Sequence, residues 1–132
     1  MLPDEEANQG RKPVNQGDLF WVQLDEIDGG ESGYVHPYVV IQDDVINHSR
    51  IDTVVICALT SNLKRANALG NVRLEAGEAN LPRPSVVEVS KVSSVAKNRL
   101  GSYIGTLSGQ RVQQILAGMR FLQRSTQPGA GE

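Results

Sequence analysis

Val54-Val-Ile-Cys-Ala-Leu59 is the longest uninterrupted apolar run of the chain, six residues. A membrane-spanning helix needs roughly 18 or more apolar residues, so this run is far too short for one. Its β-branched start suits a strand covered on both faces. Tyr38-Val-Val-Ile41 is a second run of the same kind. Strands covered on both sides need partners above and below, and the rest of the chain must supply them. Asp18-Leu-Phe-Trp-Val-Gln-Leu-Asp25 reads as a strand, with Phe20, Val22 and Leu24 on one face and Leu19 and Trp21 on the other. Val72 and Leu74 alternate with Asn71, Arg73 and Glu75, which marks a half-exposed strand. Leu81-Pro-Arg-Pro84 breaks the chain, and Ser85-Val-Val-Glu-Val-Ser90 resumes it as a strand. One long helix is expected, at the end. Ser108 can cap it, and Val112, Ile115, Leu116, Met119 and Leu122 form one apolar stripe. Five or six short strands closed by an amphipathic helix predict a mainly β fold, a small barrel or strongly twisted sheet.

The remainder of the chain sets the boundaries. At 132 residues it is the size of one domain. Residues 1–16 are polar, lack periodicity and lack the apolar core of a signal peptide; they read as a flexible N-terminal arm. Residues 17–124 form the expected domain, and 125–132, Ser-Thr-Gln-Pro-Gly-Ala-Gly-Glu, read as a flexible tail. The stretch Glu26 to Val35, with three glycines, reads as a loop. A cytoplasmic location is expected. Cys57 is the single cysteine, which excludes an intramolecular disulfide and a cysteine-based zinc site. His36 and His48 stand twelve positions apart, without the spacing of a metal pair, so no metal or other cofactor is expected.

Net charge is −2, which argues against bulk nucleic-acid binding, but the charges are unevenly placed. Gly17 to Asp52 holds eight acids against Arg50 alone. Thr60 to Arg99 holds seven bases (Lys64, Arg65, Arg73, Arg83, Lys91, Lys97, Arg99) against Glu75, Glu78 and Glu88. Gathered on one face, the second set would make a local positive patch; interspersed, it would be an ordinary solvated surface.

Four segments together resemble the MazF/PemK family of toxin endoribonucleases from type II toxin–antitoxin pairs. They are Gly17-Asp-Leu-Phe-Trp-Val-Gln-Leu24, the Gly30-Glu-Ser-Gly33 loop with His36-Pro-Tyr-Val-Val-Ile41, Val55-Ile-Cys-Ala-Leu-Thr-Ser-Asn-Leu-Lys64, and Gly101-Ser-Tyr-Ile-Gly-Thr-Leu-Ser108. The resemblance implies an SH3-like (PemK/CcdB-type) small β-barrel with a C-terminal α-helix. It also implies a cytoplasmic homodimer, an mRNA interferase that cuts single-stranded RNA without a metal, and a cognate antitoxin as partner.

Metal-free RNA cleavage proceeds by attack of a ribose 2′-OH on the adjacent phosphorus. It needs a base, an acid and donors for the charged phosphorane. In the family an arginine precedes the proline that opens the second strand, and here that position is His36. Arginine offers phosphate a fixed fork and permanent charge, whereas a histidine side chain can also move a proton. Thr60 and Ser61 match the family's hydroxyl pair and, with His36, are the catalytic candidates. The competing readings are a loop-end histidine and a polar turn cap formed by Thr60 and Asn62. Glu31 lies where the family often carries a loop carboxylate. Together with Asn62, Lys64, Arg65 and Arg73 it is a candidate for substrate binding, as is Tyr34, which could stack on a base. Core packing competes with stacking for Trp21.

Two departures bear on activity. Besides the arginine replaced by His36, many members carry Arg and Asp after the fifth strand, where this chain has Ser93 and Ala96. Either the chemistry runs through His36 and the hydroxyls with Lys64 or Arg65 supplying charge, or cleavage is lost. The alternative function is then a non-catalytic module on the same barrel, a gyrase-directed toxin resembling CcdB or an antitoxin-binding homologue.

Overall fold

The computed structural model describes residues 13–24 and 34–124. Strands β1 (Asp18–Val22), β2 (His36–Val40), β3 (Thr53–Thr60), β4 (Val72–Leu74), β5 (Ser85–Ala96) and β6 (Tyr103–Thr106) form one sheet in the order β4-β5-β3-β2-β1-β6. Every pairing is antiparallel. A four-residue helix α1 (Asp44–Asn47) joins β2 to β3, and α2 (Gly109–Arg124) ends the described chain. The two apolar runs occupy the centre of the sheet, as doubly covered strands must.

Both faces of the sheet are packed. Leu19, Val39, Cys57, Leu59, Leu74 and Val87 point to one side, where Val112 and Ile115 of α2 complete a buried cluster. Phe20, Val22, Val40, Val54 and Ile56 point to the other, where Val95 and Leu100 close over them. Only a strongly curled sheet can bury both sides with one helix. Register shifts at Leu19/Phe20 and between Cys57 and Leu59 mark where it bends.

The edges β4 and β6 are not paired with each other; a 3-10 turn over Glu78–Asn80 bridges them, so the sheet is a half-barrel rather than a barrel closed by hydrogen bonds. Asn80 donates its amide to the Ile104 carbonyl at 2.9 Å. A Cβ on Gly105 would stand 2.2 Å from the Ala79 carbonyl oxygen, so only glycine fits there. Ala79 and Asn80 hold φ of 48° and 64°, left-handed values that cost a non-glycine residue energy. Arg111 of α2 fixes this turn with a two-pronged grip on Glu78, Nε to Oε1 at 2.9 Å and Nη2 to Oε2 at 2.7 Å.

The sequence expected residues 13–16 within an N-terminal arm. In the structure the Gln16 amide donates to Asp44 Oδ1 at 2.6 Å, and its side chain donates to the Ile41 carbonyl at 2.9 Å. The rest of the arm, most of the glycine loop and the C-terminal tail lie outside the described residues. Among the described residues no helix is long and apolar enough to cross a membrane.

Two of these contacts predict acid sensitivity. The Arg111 hydrogen bonds hold the Glu78 carboxyl below its usual range. The Gln16 amide, then Asn47, do the same for Asp44. A carboxylate whose folded pKa is depressed contributes stability that is present above its unfolded value and lost as pH falls through the folded one. Stability should therefore hold down to about pH 5 and decline below about pH 4, the unfolded carboxylate range. Glu78→Gln should cost about 1–2 kcal/mol at pH 7 and leave a shallower decline at low pH. Urea midpoints of both proteins at pH 6 and pH 3 check this; parallel declines would contradict it.

Candidate active site

The β-ladders carry the candidate residues to one end of the sheet. His36 opens β2 and pairs with Val22 of β1. The β2–β3 ladder is paired from Tyr38–Ala58 to Val40–Ile56, and continuing that register by two residues would bring His36 toward Thr60. Thr60 pairs with Val86 of β5, and Val86 with Arg73 of β4. Two paired runs result, Val22–His36 and Thr60–Val86–Arg73, which that continued register would align across the sheet. Their neighbours Leu59, Val87 and Leu74 point to the helix. By strand alternation these residues face the other way. His36 and Arg73 are exposed, Thr60 is half-buried and Val86 is fully buried beneath them.

The turn after β3 is built by its own side chains. Thr60 Oγ1 accepts the Asn62 amide at 3.2 Å, and Asn62 Oδ1 accepts the Lys64 amide at 3.2 Å, capping a 3-10 turn over Leu63–Asn67. Thr60 and Asn62 therefore do cap the turn, and the Thr60 hydroxyl, used there as an acceptor, still has a proton to donate. Ser61 and Lys64 are exposed beside it. Tyr34, 60% exposed, stands edge-on to the His36 ring with centroids 6.4 Å apart. Glu31 lies outside the described residues.

Arg65 and Arg73 are each paired with an acid. Arg73 Nε meets Glu75 at 3.3 Å on the open surface. Arg65 Nε meets Glu88 at 3.1 Å, and that carboxylate is almost fully buried. Glu88 also faces Lys91 at 3.6 Å. In the sequence Glu88 is one acid among the bases, and the signal that sets it apart is its place in the apolar run Val86-Val87-Glu88-Val89; the structure buries all of Ser85–Val89.

Burial, helped by the nearby Cys57, pushes the Tyr38 phenol up, so Tyr38 stays a neutral donor on the His36 face. Burial also pushes the Cys57 thiol up to about 12, and it donates to the Glu88 carbonyl at 3.0 Å. Cys57 is on the helix side and is no nucleophile. Trp21, half-buried with Pro37 as its ladder partner, joins neither core cluster. Ser93, which the resemblance sets where family members carry arginine, pairs with Ile56 and is half-buried. Among the described residues, no three His, Cys, Asp or Glu side chains come together as a metal group.

An exposed imidazole at the start of β2, hydroxyls at the end of β3 and the bases Lys64, Arg65 and Arg73 near that end are the residue types that phosphodiester cleavage requires. Residues 15–122 match the family model described as PemK-like, MazF-like toxin of type II toxin–antitoxin system. The chain belongs to that family. Over 107 residues it is 32% identical to Endoribonuclease MazF6 of Mycobacterium tuberculosis, covering 81% of this chain and 94% of the relative. Endoribonuclease MazF of Staphylococcus saprophyticus is 28% identical over 102 residues, 77% of this chain and 84% of the relative. A mycobacterial endoribonuclease solved in complex with its cognate antitoxin superposes with a TM-score of 0.67 at 16% identity, over 87% of this chain and 99% of that one. MazF from Deinococcus radiodurans gives 0.67 at 18% identity, over 86% and 98%. The expected barrel type with a C-terminal helix is thus the observed fold, in its curled half-barrel form.

Proposed function

We propose that this toxin is a sequence-selective, metal-independent endoribonuclease acting on single-stranded RNA in the cytoplasm. What supports the reading is that the β2–β3 register, continued by two residues, leads from His36 toward Thr60, that the ladders lead on from Thr60 to Arg73, and that Lys64 and Arg65 lie in the turn that follows Thr60. In the reaction the ribose 2′-oxygen bonds to the adjacent phosphorus and the phosphorus–O5′ bond breaks. One proton leaves the 2′-hydroxyl and one reaches the 5′-oxygen. The products are a 2′,3′-cyclic phosphate and a free 5′-hydroxyl.

His36 is the proton-transfer group, in the place where the family carries arginine. Thr60 and Ser61 donate to the phosphorane oxygens, as fixed donors aimed at developing charge. Lys64, Arg65 and Arg73 hold the backbone phosphates, Asn62 shapes the turn that presents the hydroxyls, and Tyr34 stacks on a base. Glu31 is assigned to substrate binding on the resemblance alone.

The protein is expected to act as a homodimer and to be neutralised by a cognate antitoxin. Phe121, Leu122 and Leu69 are exposed at the C-terminal end of α2 and the adjoining turn, apolar surface that suits an isologous contact. Light scattering at micromolar concentration should return twice the chain mass. A monomer would contradict the dimer.

Cleavage of a long single-stranded RNA in EDTA, with fragment ends mapped, tests the activity. Discrete cuts by the wild type that are lost in Thr60→Ala support it. Intact RNA from folded protein, with growth arrest in cells, would point to the gyrase-directed alternative.

A further inference from the structure

Arg65 is held at both ends by β5. Its carbonyl accepts the Asn71 side-chain amide at 2.9 Å, and Asn71 Oδ1 accepts the Val89 amide at 3.0 Å. Its Nε donates to Glu88 Oε2 at 3.1 Å. Backbone and guanidinium are thus both tied to residues 88 and 89. The grip on Nε is sideways: neither terminal nitrogen of Arg65 carries a hydrogen bond among the described residues. The Nη1/Nη2 fork is left open, and half of the side chain is exposed. An open guanidinium fork is the geometry that binds a phosphate through two parallel bonds.

Stability does not explain this pair. Burying a carboxylate carries a desolvation cost that a half-exposed arginine repays poorly, and an apolar residue at 88 would fill the same space. Val87 and Val89 point to the helix side. By alternation Glu88 points to the face of His36 and Thr60, two residues along from Val86. Lys91 adds a second cation to the same carboxylate, so the trio carries one net positive charge at the rim.

From this geometry we infer that Glu88 is a positioning residue, which aims the Arg65 fork at the scissile or a flanking phosphate and so offsets the missing family arginines. The inference rests on the ribonuclease reading and adds to it a group that never touches RNA.

The test is a double-mutant cycle on a short RNA carrying the mapped cut, read as kcat and KM separately, with RNA affinity measured at several salt concentrations. Glu88→Gln keeps the shape and an acceptor but not the charge. It should lower kcat/KM about 10-fold, the scale of a mis-aimed contact, and should have no further effect in Arg65→Ala. Arg65→Lys, which keeps the charge and loses the fork, should lose about as much as Arg65→Ala in kcat while keeping the wild-type salt slope of binding. This arm stands even where Glu88→Gln fails to fold. Equal added losses from Glu88→Gln with and without Arg65 would mark a structural carboxylate and overturn the inference. Full activity in Arg65→Lys would overturn it as well. A wild type that neither cuts nor binds RNA would overturn the ribonuclease reading itself, which separates that failure from this one.

Discussion

His36→Ala is expected to reduce RNA cleavage by about 10²–10⁴-fold, the usual contribution of a positioned proton-transfer group. RNA affinity should change little, because Lys64, Arg65 and Arg73 supply the proposed phosphate contacts. The informative companion is His36→Arg, which introduces the residue type that the family resemblance implies for this position. Were the role electrostatic, arginine would serve as well or better, through its permanent charge and fork. Were it proton transfer, arginine would remain near the alanine level, since it does not release a proton under these conditions. We expect the second result. His36 is exposed and stands beside an open aromatic ring, placed to meet a substrate rather than to support the core. Single-turnover rates of the three proteins on one RNA decide the matter. Full activity in His36→Arg would return the position to an electrostatic role.

Gly118→Ala is expected to cost about 3 kcal/mol or more of folding stability, at the upper end of overpacking penalties. Its absent side chain is what lets α2 lie against the β3–β4 connection. A Cβ at Gly118 would stand 2.1 Å from the Gly70 carbonyl oxygen, and Gly70 itself is held at φ +90°. Neither partner can yield cheaply, because the clash is backbone on backbone. In a domain of this size the loss corresponds to a fall in melting temperature of roughly 10–20 °C. Gly109→Ala, at the first residue of the same helix, meets nothing within 4 Å and serves as the control. Thermal melts of the two variants should differ widely. A Gly118→Ala protein that melts with the wild type would show that the helix can shift at no cost.

The contrast between these glycines shows what sequence can and cannot reveal. The helix stripe was legible, because Val112, Ile115, Leu116 and Met119 are packed as their spacing predicts. Leu122 fits the same period yet is 39% exposed, while Gly118, which carries no apolar signal, is buried. Periodicity reports which residues are apolar, not where two backbones touch. The central strands were legible for the same reason: β-branched runs have few other places to go. The second half of β5 was not, because Ser93, half-buried, and Ser94, exposed, pair with β3 without an apolar pattern to mark the strand.

At the proposed site, motif order points to His36 and the Thr60-Ser-Asn turn, which stand at the ends of the paired strands β2 and β3. The Glu88–Arg65 pair joins residues 23 apart through an irregular stretch of β5 and a side-chain staple, and no spacing rule announces such a contact. The charge asymmetry was only partly informative. Lys64, Arg65, Arg73 and Lys91 collect around the β3 turn and the strands beside it, whereas Lys97 donates to the Asn47 carbonyl of α1, and so belongs to another part of the fold.

The central claim is that this toxin cuts RNA through the 2′-hydroxyl of the substrate, with His36 moving the proton. The most direct measurement uses two RNAs that differ in one atom, the second carrying a 2′-deoxy residue immediately 5′ of the mapped cut, both incubated with the protein in EDTA. The account predicts that the all-ribose strand is cut to a 2′,3′-cyclic phosphate and a 5′-hydroxyl, and that the substituted strand stays whole at that bond. Cleavage of the deoxy strand at an undiminished rate would contradict it, because a water molecule would then be the nucleophile.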